Sequence, residues 1–198
     1  MNRSLKYIIK DLTKIQSMRE NIIKNMRVVV IACNKAIALS HERKLEKAGM
    51  QIKKAKKLLI KNRNKVSNNL FRYMITAEQE YVEADSLLTI IEGKEIKSQN
   101  QLGVQRDSYI LGLLDCIGEL KRLTYYEIRN SKPTEASKIF NLMEKLYSSL
   151  YPLTFYDKII KEMRRKIDVN RILIEDTRSA VTEEMRRTKL IETMKSIR

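Results

Sequence analysis

The sequence predicts an all-α protein, a bundle of long helices in a single domain over residues 1–198. Apolar residues recur at helical spacing through most of the chain. Helix-breaking residues are scarce, with 5 Gly and 2 Pro, and the absence of Trp and presence of only 3 Phe disfavour a turn-rich β fold. Hydrophobic residues make up 43% of the chain and charged residues 32%, as is typical of a soluble globular protein.

The first half of the chain predicts three long helices, and the first of them ends near Ser40. Its apolar stripe comprises Leu5, Ile8, Ile9, Leu12, Ile15, Ile22, Ile23, Met26, Val29, Val30, Cys33 and Ile37. Ser40 is a candidate N-cap for a second helix, expected from about residue 42 to residue 59. A third helix is expected from about residue 69 to residue 92. Its predicted buried face comprises Ala77, Tyr81, Ala84, Leu88 and Ile91.

The middle of the chain predicts a loop followed by a fourth helix. The loop covers residues 93–106, which are polar and show no period. Asp107 or Ser108 is expected to cap the helix, which runs from Tyr109 to about Arg129. Its main core face comprises Ile110, Leu113, Leu114, Ile117 and Leu120.

Two further helical segments are predicted after a turn over residues 130–133. The first covers residues 134–151 and is ended by Pro152. The last covers about 155–195. Its inward side chains are predicted to be Ile159, Ile160, Met163, Ile167, Ile172, Leu173 and Val181.

The chain is strongly basic, and its charge is unevenly distributed. It carries 40 Lys and Arg against 24 Asp and Glu, a net charge of +16. Residues 1–70 contain 18 basic residues and 4 acidic ones, whereas residues 78–92 contain five acidic residues and no basic one. Such a surface suits nucleic-acid phosphates or anionic membranes, although a lysine-rich surface that serves solubility or heat adaptation has the same composition. Composition alone does not choose between these alternatives.

The cysteine and histidine content favours a cytoplasmic protein without thiol catalysis. Cys33 and Cys116 lie in apolar helical patterns and are expected to be buried in a reducing compartment. His41 is the only histidine, so the sequence offers little to activate a nucleophilic thiol. The apolar run over residues 28–33 is too short to span a bilayer, and residues 1–12 are amphipathic, so neither a membrane span nor a signal peptide is expected.

Two acidic pairs stand out in this basic chain. Glu80 and Glu83 are three residues apart in one predicted helix, and Asp115 and Glu119 are four apart in another, so each pair shares a helix face. Four carboxylates would meet if the two helices packed together, and their repulsion would require a cation. Oxygen ligands without His or Cys favour Mg²⁺, or Mn²⁺, which can activate water and neutralise charge on a phosphate.

Other interpretations of the acidic pairs remain open at this point. Acidic residues on helices mostly lie on solvated faces or pair with lysines. Against this, both pairs border apolar faces, and Gly112 and Gly118 allow a helix or a ligand to approach the second pair closely. The pattern is also similar to that of all-α nucleotide pyrophosphohydrolases, whose substrate would be a small nucleoside triphosphate.

Two stretches carry a more specific resemblance. They are Gln79-Glu80-Tyr81-Val82-Glu83-Ala84 and Tyr109-Ile110-Leu111-Gly112-Leu113-Leu114-Asp115-Cys116-Ile117-Gly118-Glu119-Leu120-Lys121-Arg122. Both resemble the translin family, and within it the translin-associated factor X branch. The first matches that branch's Gln-Glu-Tyr-Val-Glu-Ala, and the second is similar to its Asp-Tyr-Leu-Leu-Gly-Val-x-Asp-Leu-x-Gly-Glu-Leu-x-Arg helix. The run Ser40-His41-Glu42-Arg43 also looks like the family's helix junction.

The resemblance implies a translin-like helical bundle that assembles into a hollow, octamer-like shell, expected here to be a homo-oligomer. It implies binding of single-stranded RNA, or of single-stranded DNA, on a basic inner surface. It further implies Mg²⁺-dependent endoribonuclease activity inside the shell. Carried over by position, Glu80, Glu83, Asp115 and Glu119 match the branch's metal-binding catalytic acids. A non-catalytic shell that binds single-stranded RNA or DNA is the alternative.

Basic residues are the candidates for holding the nucleic acid. Arg122 lies one turn beyond Glu119 and is expected to hold a phosphate, and four further candidates on the first helices are Arg19, Arg27, Lys35 and Arg43. Binding through such residues is expected to be salt-sensitive and largely independent of sequence. The chain departs from the family at Tyr126 and Glu127, where Asn-Ser is usual, so a local contact is expected to differ there.

Overall fold

A computed structural model describes residues 3–64, 66 and 68–197, and its architecture confirms the all-α prediction. These residues contain no β-strand. Seven α-helices follow one another as α1 (Arg3–His41), α2 (Leu45–Arg63), α3 (Ile75–Ile91), α4 (Gln99–Leu102), α5 (Arg106–Arg129), α6 (Pro133–Leu150) and α7 (Met163–Ser196). Two 3₁₀ segments, Asn68–Tyr73 and Tyr151–Tyr156, precede α3 and follow α6.

The chain divides into two compact units, Met1–Tyr109 and Ile110–Arg198. The single domain expected over residues 1–198 therefore stays a prediction. A search of the described residues found no helix that is both long and apolar enough to cross a membrane.

In the first unit, α1, α2 and α3 pack against one another. Met26, Val29 and Cys33 of α1 are at most 4% exposed, so the second half of the predicted α1 stripe forms the core. Several alanines line the contacts and are at most 1% exposed: Ala36, Ala48, Ala55, Ala77 and Ala84. Because the distance between packed helices depends on the side chains at the contact, these small residues let the three backbones approach closely.

The first half of the α1 stripe is exposed, contrary to the prediction. Leu5, Ile8, Ile9, Leu12 and Ile15 are all between 39% and 58% exposed. Helical periodicity identifies the apolar face, but it does not show which part of that face other helices cover. With 39 residues α1 is about 58 Å long, whereas α2 and α3 have 19 and 17 residues and reach only about 28 and 26 Å. The two shorter helices therefore leave the start of α1 uncovered.

The junction between α1 and α2 also differs from the prediction, because Ser40 is not an N-cap. Ser40 lies inside α1 and is fully buried. The helix ends at His41, and just beyond it Arg43 adopts a left-handed backbone with φ of 59° while the N–H of Lys44 donates to the carbonyl of Leu39 at 2.9 Å. This is a Schellman C-cap. The second helix then starts at Leu45 without a side-chain cap.

The expected third helix is divided in the structure. Its first residues form the 3₁₀ segment Asn68–Tyr73, and α3 begins only at Ile75. Most of the predicted face is buried, since Ala77, Tyr81 and Ala84 are at most 1% exposed, but Ile91 is only half-buried. Residues outside that face, among them Val82 and Leu87, are fully buried as well.

The predicted loop over residues 93–106 contains a short helix, α4. Ser98 and Gln101 form a capping box, in which each side chain accepts a hydrogen bond from the backbone N–H of the other residue. The prediction was wrong here because a four-residue helix shows no hydrophobic period. The following helix, α5, starts at Arg106 rather than Tyr109, and Ser108 is buried inside it rather than capping it.

In the second unit, α6 packs against α7, and the 3₁₀ segment contacts both. The Nδ2 of Asn170 donates to the carbonyl oxygen of Leu114 at 2.9 Å and thereby fixes α7 against α5. As predicted, α6 ends just before Pro152, but α7 begins at Met163 instead of near residue 155. Ile159 and Ile172 were expected to point inward and are 61% and 65% exposed.

A buried carboxylate joins three segments of the first unit. Glu78, in the first turn of α3, is fully buried. Its Oε1 accepts a hydrogen bond from Arg63 Nη2 at the end of α2, and its Oε2 accepts one from the backbone N–H of Gln105 at 2.9 Å, just before α5. The first turn of α3, the end of α2 and the start of α5 are thus held by one side chain.

We expect Glu78→Gln to lower the free energy of unfolding by about 2 kcal/mol, because a charge-assisted bond is lost while the Arg63 side chain, which is 31% exposed, recovers some water. Urea unfolding followed by circular dichroism measures the change. Glu95→Gln, at an exposed site in the turn after α3, is the control and should change stability by no more than about 0.5 kcal/mol. Equal effects of the two substitutions would contradict the assigned role of Glu78.

Candidate active site and nucleic-acid surface

The acidic pair of α3 lies at the edge of the packed face of that helix. Glu80 and Glu83 are half-buried, whereas the intervening Tyr81 is 1% exposed. Burial, and after it the carboxylates of Glu80, Glu83 and Asp85, raise the pKa of the Cys33 thiol in α1. The pair therefore borders the contact between α1 and α3 instead of occupying a fully solvated face.

The other acids of this run include two that are internal to the fold. Asp85 is 3% exposed, and its two carboxylate oxygens accept hydrogen bonds from Lys97 Nζ at 2.7 and 2.9 Å. Glu78 is held by Arg63. The cations that neutralise these two acids, Arg63 and Lys97, come from outside residues 78–92. Glu80 and Glu83 differ from them in being only half-buried.

The acidic pair of α5 is partly buried, and both members face cations. The side chain of Asp115 is 31% exposed and that of Glu119 is 22% exposed. Lys166 Nζ donates to Asp115 Oδ1, and Arg122 Nη1 lies 3.7 Å from Glu119 Oε2. The ion pairing expected under the purely structural interpretation is thus present, but the full solvation expected for an ordinary surface acid is not.

A cavity of about 170 Å³ lies beside Asp115, and its lining includes Leu114, Gly118, Lys166 and Asn170. Apart from Gly118, its two chain neighbours and the backbone of its own helix, no described atom lies within 4 Å of the position that a Cβ at Gly118 would take. No other helix of the described residues therefore approaches closely at this glycine, and the approach of a ligand there stays a prediction. The glycine instead leaves open space next to the acidic pair.

The carboxylates fit a hard cation by the chemistry of their donor atoms. Each helix offers two oxygen ligand groups, and Mg²⁺ is commonly held by one or two carboxylates together with water and substrate phosphates. Among the residues described, no group of three or more His, Cys, Asp or Glu side chains is arranged to hold a metal ion. The ligand set of Glu80, Glu83, Asp115 and Glu119 stays a prediction.

The five basic residues selected from the sequence lie in different environments. Arg19 Nε donates to the hydroxyl of Tyr73 at 2.8 Å, and its guanidinium lies 4.9 Å from that ring's centroid, so Arg19 attaches α1 to the first 3₁₀ segment. Arg27 and Lys35 are exposed on α1, and Arg43 is exposed in the α1–α2 turn. The side chain of Arg122 is 64% exposed beside Glu119.

Two features of the structure that bear on ligand binding were not predicted from the sequence. One is an exposed lysine face on α2, where Lys53, Lys54 and Lys57, together with Met50 and Leu58, line a depression of about 420 Å³. The basic character of α2 was visible in the sequence, but nothing there distinguished these lysines from the other basic residues of the chain.

The other missed feature is Lys166, which pairs with Asp115 across 51 residues. No local signal could have found it, because the pairing depends on how α7 packs against α5. The nearest sequence clue is Asn170, one turn further along α7, since a buried asparagine needs a hydrogen-bond partner.

Taken together, the long helices, the paired half-buried acids on α3 and α5, and the exposed basic faces define an all-α protein of the translin type. A sequence model of the Translin family matches residues 71–176, which is more than half of the chain and includes both acidic pairs. The chain belongs to the Translin family.

Relatives of known sequence or structure agree with this assignment. Uncharacterized protein MJ0175 of Methanocaldococcus jannaschii is 31% identical over 98% of this chain and 88% of its own length. The crystal structure of AfC3PO is similar with a TM-score of 0.83 and 31% identity, covering 92% of this chain and 97% of that one. A structure described as an AfC3PO–duplex RNA complex has the same TM-score, with 30% identity over 92% of this chain and 96% of the other. Apo-NeC3PO, at 21% identity and a TM-score of 0.81 over 93% of this chain and 98% of that one, shares the fold.

The buried thiol of Cys33, beside the α3 acids, should make the stability of the fold depend on pH. Because the folded pKa of Cys33 is raised, its contribution to stability is complete below the unfolded thiol pKa of about 8.5 and is lost as the pH rises above that value. Between pH 7.5 and 9.5 the wild type should lose about 1 kcal/mol more unfolding free energy than Cys33→Ala. Urea unfolding at each pH measures the difference. Equal losses in the two proteins would contradict the raised pKa.

Proposed function

We propose that this protein is a divalent-cation-dependent endoribonuclease. The observation that carries the proposal is the partial burial of Asp115 and Glu119, together with the cavity that Asp115 and Gly118 line. Carboxylates that served only to solubilise α5 would not need such a position. Membership of the Translin family supports the proposal, as does the similarity to AfC3PO, which is described in complex with duplex RNA.

In this proposal the two acidic pairs hold the cation. Glu80 and Glu83 would contribute from α3, and Asp115 and Glu119 from α5. Mg²⁺, or Mn²⁺, would supply the hydrolytic water at neutral pH and neutralise charge on the phosphodiester. Arg122 extends from the same helix as Glu119 and would hold a phosphate oxygen of the RNA next to the reacting group.

The RNA itself would be bound mainly through its backbone. Arg27, Lys35 and Arg43 are exposed basic residues of α1 and the following turn, while Arg19 is engaged with Tyr73 and would contribute less. The net charge of +16 favours association with a polyanion. Single-stranded RNA is the proposed substrate, with single-stranded DNA as a second ligand.

The proposed assembly is a homo-oligomeric, octamer-like shell in the cytoplasm. The exposed start of the α1 stripe, from Leu5 to Ile15, supports self-association, because a row of large apolar side chains is costly to leave in water. A second copy of the chain would cover it.

A specific observation favours a second candidate function, a shell that binds RNA without cutting it. The pairing of Asp115 with Lys166 and of Glu119 with Arg122 gives both acids of α5 a role without any metal. In that case the acids would stabilise the fold, and only the basic surfaces would act on RNA.

Cleavage assays separate the two candidates. Single-stranded RNA incubated with the wild-type protein and Mg²⁺ should be cut internally, and EDTA should abolish the cutting. Glu119→Gln and Glu80→Gln should each lower the cleavage rate at least about 100-fold, because each removes a proposed ligand of the cation. Gel electrophoresis of end-labelled RNA measures the rate.

Glu183→Gln, an exposed acid in α7, is the matched control and should cleave like the wild type. Tight RNA binding without Mg²⁺-dependent cleavage would favour the binding shell and refute the nuclease. Duplex RNA and nucleoside triphosphates belong in the same assay, because pyrophosphate release from triphosphates alone would indicate a pyrophosphohydrolase instead.

RNA binding measured in EDTA should weaken steeply with salt. For each phosphate contact that is lost, the slope of log affinity against log salt concentration should decrease in magnitude by roughly 1. Arg27→Gln and Lys35→Gln are therefore each expected to lower the slope, while Lys94→Gln, in the turn after α3, should leave it unchanged. Fluorescence anisotropy with labelled single-stranded RNA gives the slopes. Unchanged slopes in the α1 variants would remove that helix from the proposed surface.

A further inference from the structure

The ammonium group of Lys166 lies where a cation would approach Asp115. Lys166 Nζ donates to Asp115 Oδ1, and the lysine side chain is only 17% exposed. Both groups border the 170 Å³ cavity next to Gly118. The carboxylate on which the proposed function depends is thus already occupied by a positive charge from the chain itself.

The local structure holds Lys166 in this position. Asn170, one turn further along α7, donates to the carbonyl of Leu114, the residue immediately before Asp115. Ile167 is 1% exposed and anchors the same turn of α7 in the core. The neighbouring Arg165 also lines the cavity, but its guanidinium is paired with Glu162, whose Oε2 lies 2.5 Å from Arg165 Nη2. Of these two adjacent basic residues, only Lys166 therefore has an ion pair with Asp115 among the contacts described.

We propose that Lys166 is an internal counter-cation of Asp115 that a divalent cation must displace. The inference rests on the proposed function, because it assigns a regulator to the same acidic site. A tethered ammonium satisfies the carboxylate without metal and competes directly with an incoming ion. The cavity beside Gly118 provides space for the lysine side chain once the pair opens. Lys166 is a positioning residue, and its effect is to weaken cation binding in the absence of RNA.

Cation affinity of the RNA-free protein tests this directly. Mn²⁺ binding is followed by the loss of the electron paramagnetic resonance signal of the free ion. Lys166→Gln and Lys166→Met, the latter keeping much of the apolar stem, should bind Mn²⁺ about 10-fold more tightly than the wild type, within the usual range of coupling between linked sites. Lys166→Arg restores a cation and should return the affinity to within about twofold of the wild type.

The chain offers a matched control for loss of an α5–α7 ion pair. Lys121 of α5 pairs with Asp176 of α7, so Lys121→Gln removes a Lys–Asp contact between the same two helices without touching Asp115. Its Mn²⁺ affinity should equal that of the wild type. If the wild type binds Mn²⁺ and both neutral Lys166 variants bind it no more tightly than the wild type does, the inference is overturned. The proposed metal site would then remain intact.

Failure of the proposed function gives a different result. If neither the wild type nor the neutral Lys166 variants bind Mn²⁺ more tightly than Asp115→Asn, with or without a non-cleavable RNA analogue, the cation site itself is refuted, and the role of Lys166 falls with it.

A measurement on the wild-type protein covers the case in which the neutral variants do not fold. Acetylation of Lys166 by an amine-reactive ester, quantified by mass spectrometry, should accelerate several-fold on addition of Mn²⁺, because displacement frees the amine. Lys121 is the internal reference and should not respond. Unchanged labelling of Lys166 at saturating Mn²⁺ would also overturn the inference.

Discussion

The hydrogen-bonded carboxylate of Glu78 is the constraint on which the first unit depends. A fully buried charge is tolerated only when it is paired and hydrogen-bonded, and Arg63 and the N–H of Gln105 meet this requirement. Because Arg63 ends α2 and Gln105 precedes α5, the requirement fixes where these helices meet the first turn of α3. Glu80 lies two residues after Glu78, so its position at the edge of α3 follows from the same anchor.

The acidic residues of this basic chain have separate roles that their burial distinguishes. Glu78 and Asp85 are almost completely enclosed and have close cationic partners, which makes them parts of the fold. Glu80 and Glu83 on α3, like the α5 pair, are only half-buried. A half-buried carboxylate retains some contact with solvent, so an ion can still reach it. Because it is partly dehydrated, its electrostatic attraction to a bound cation is stronger than it would be in water. The candidate site is thus made of the acids that the fold does not enclose.

Local sequence information was sufficient for the features that depend on one helix. The period of α3 gave most of one buried face, although Val82 and Leu87 outside it are buried too. Both members of each acidic pair are half-buried, as expected for residues that border an apolar face. The exposure of the stripe at Leu5 to Ile15 was missed, because the period of one helix does not show which part of its apolar face other helices cover. Ser40 was misread because the helix end depends on Arg43 adopting a left-handed conformation, which is uncommon for arginine. Lys166 was missed because its partner is distant in sequence.

Charge balance connects the proposed activity with the ion pairs of α5. Asp115 and Glu119 carry two negative charges, and Lys166 and Arg122 oppose them with two positive ones, so this group is neutral without metal. A divalent cation that replaced both partners would keep the carboxylates neutralised but release an ammonium and a guanidinium beside them. Such groups are unfavourable next to a bound cation unless anions join them. The phosphates of RNA are anions of this kind, so the arrangement favours loading of the cation together with the substrate rather than before it.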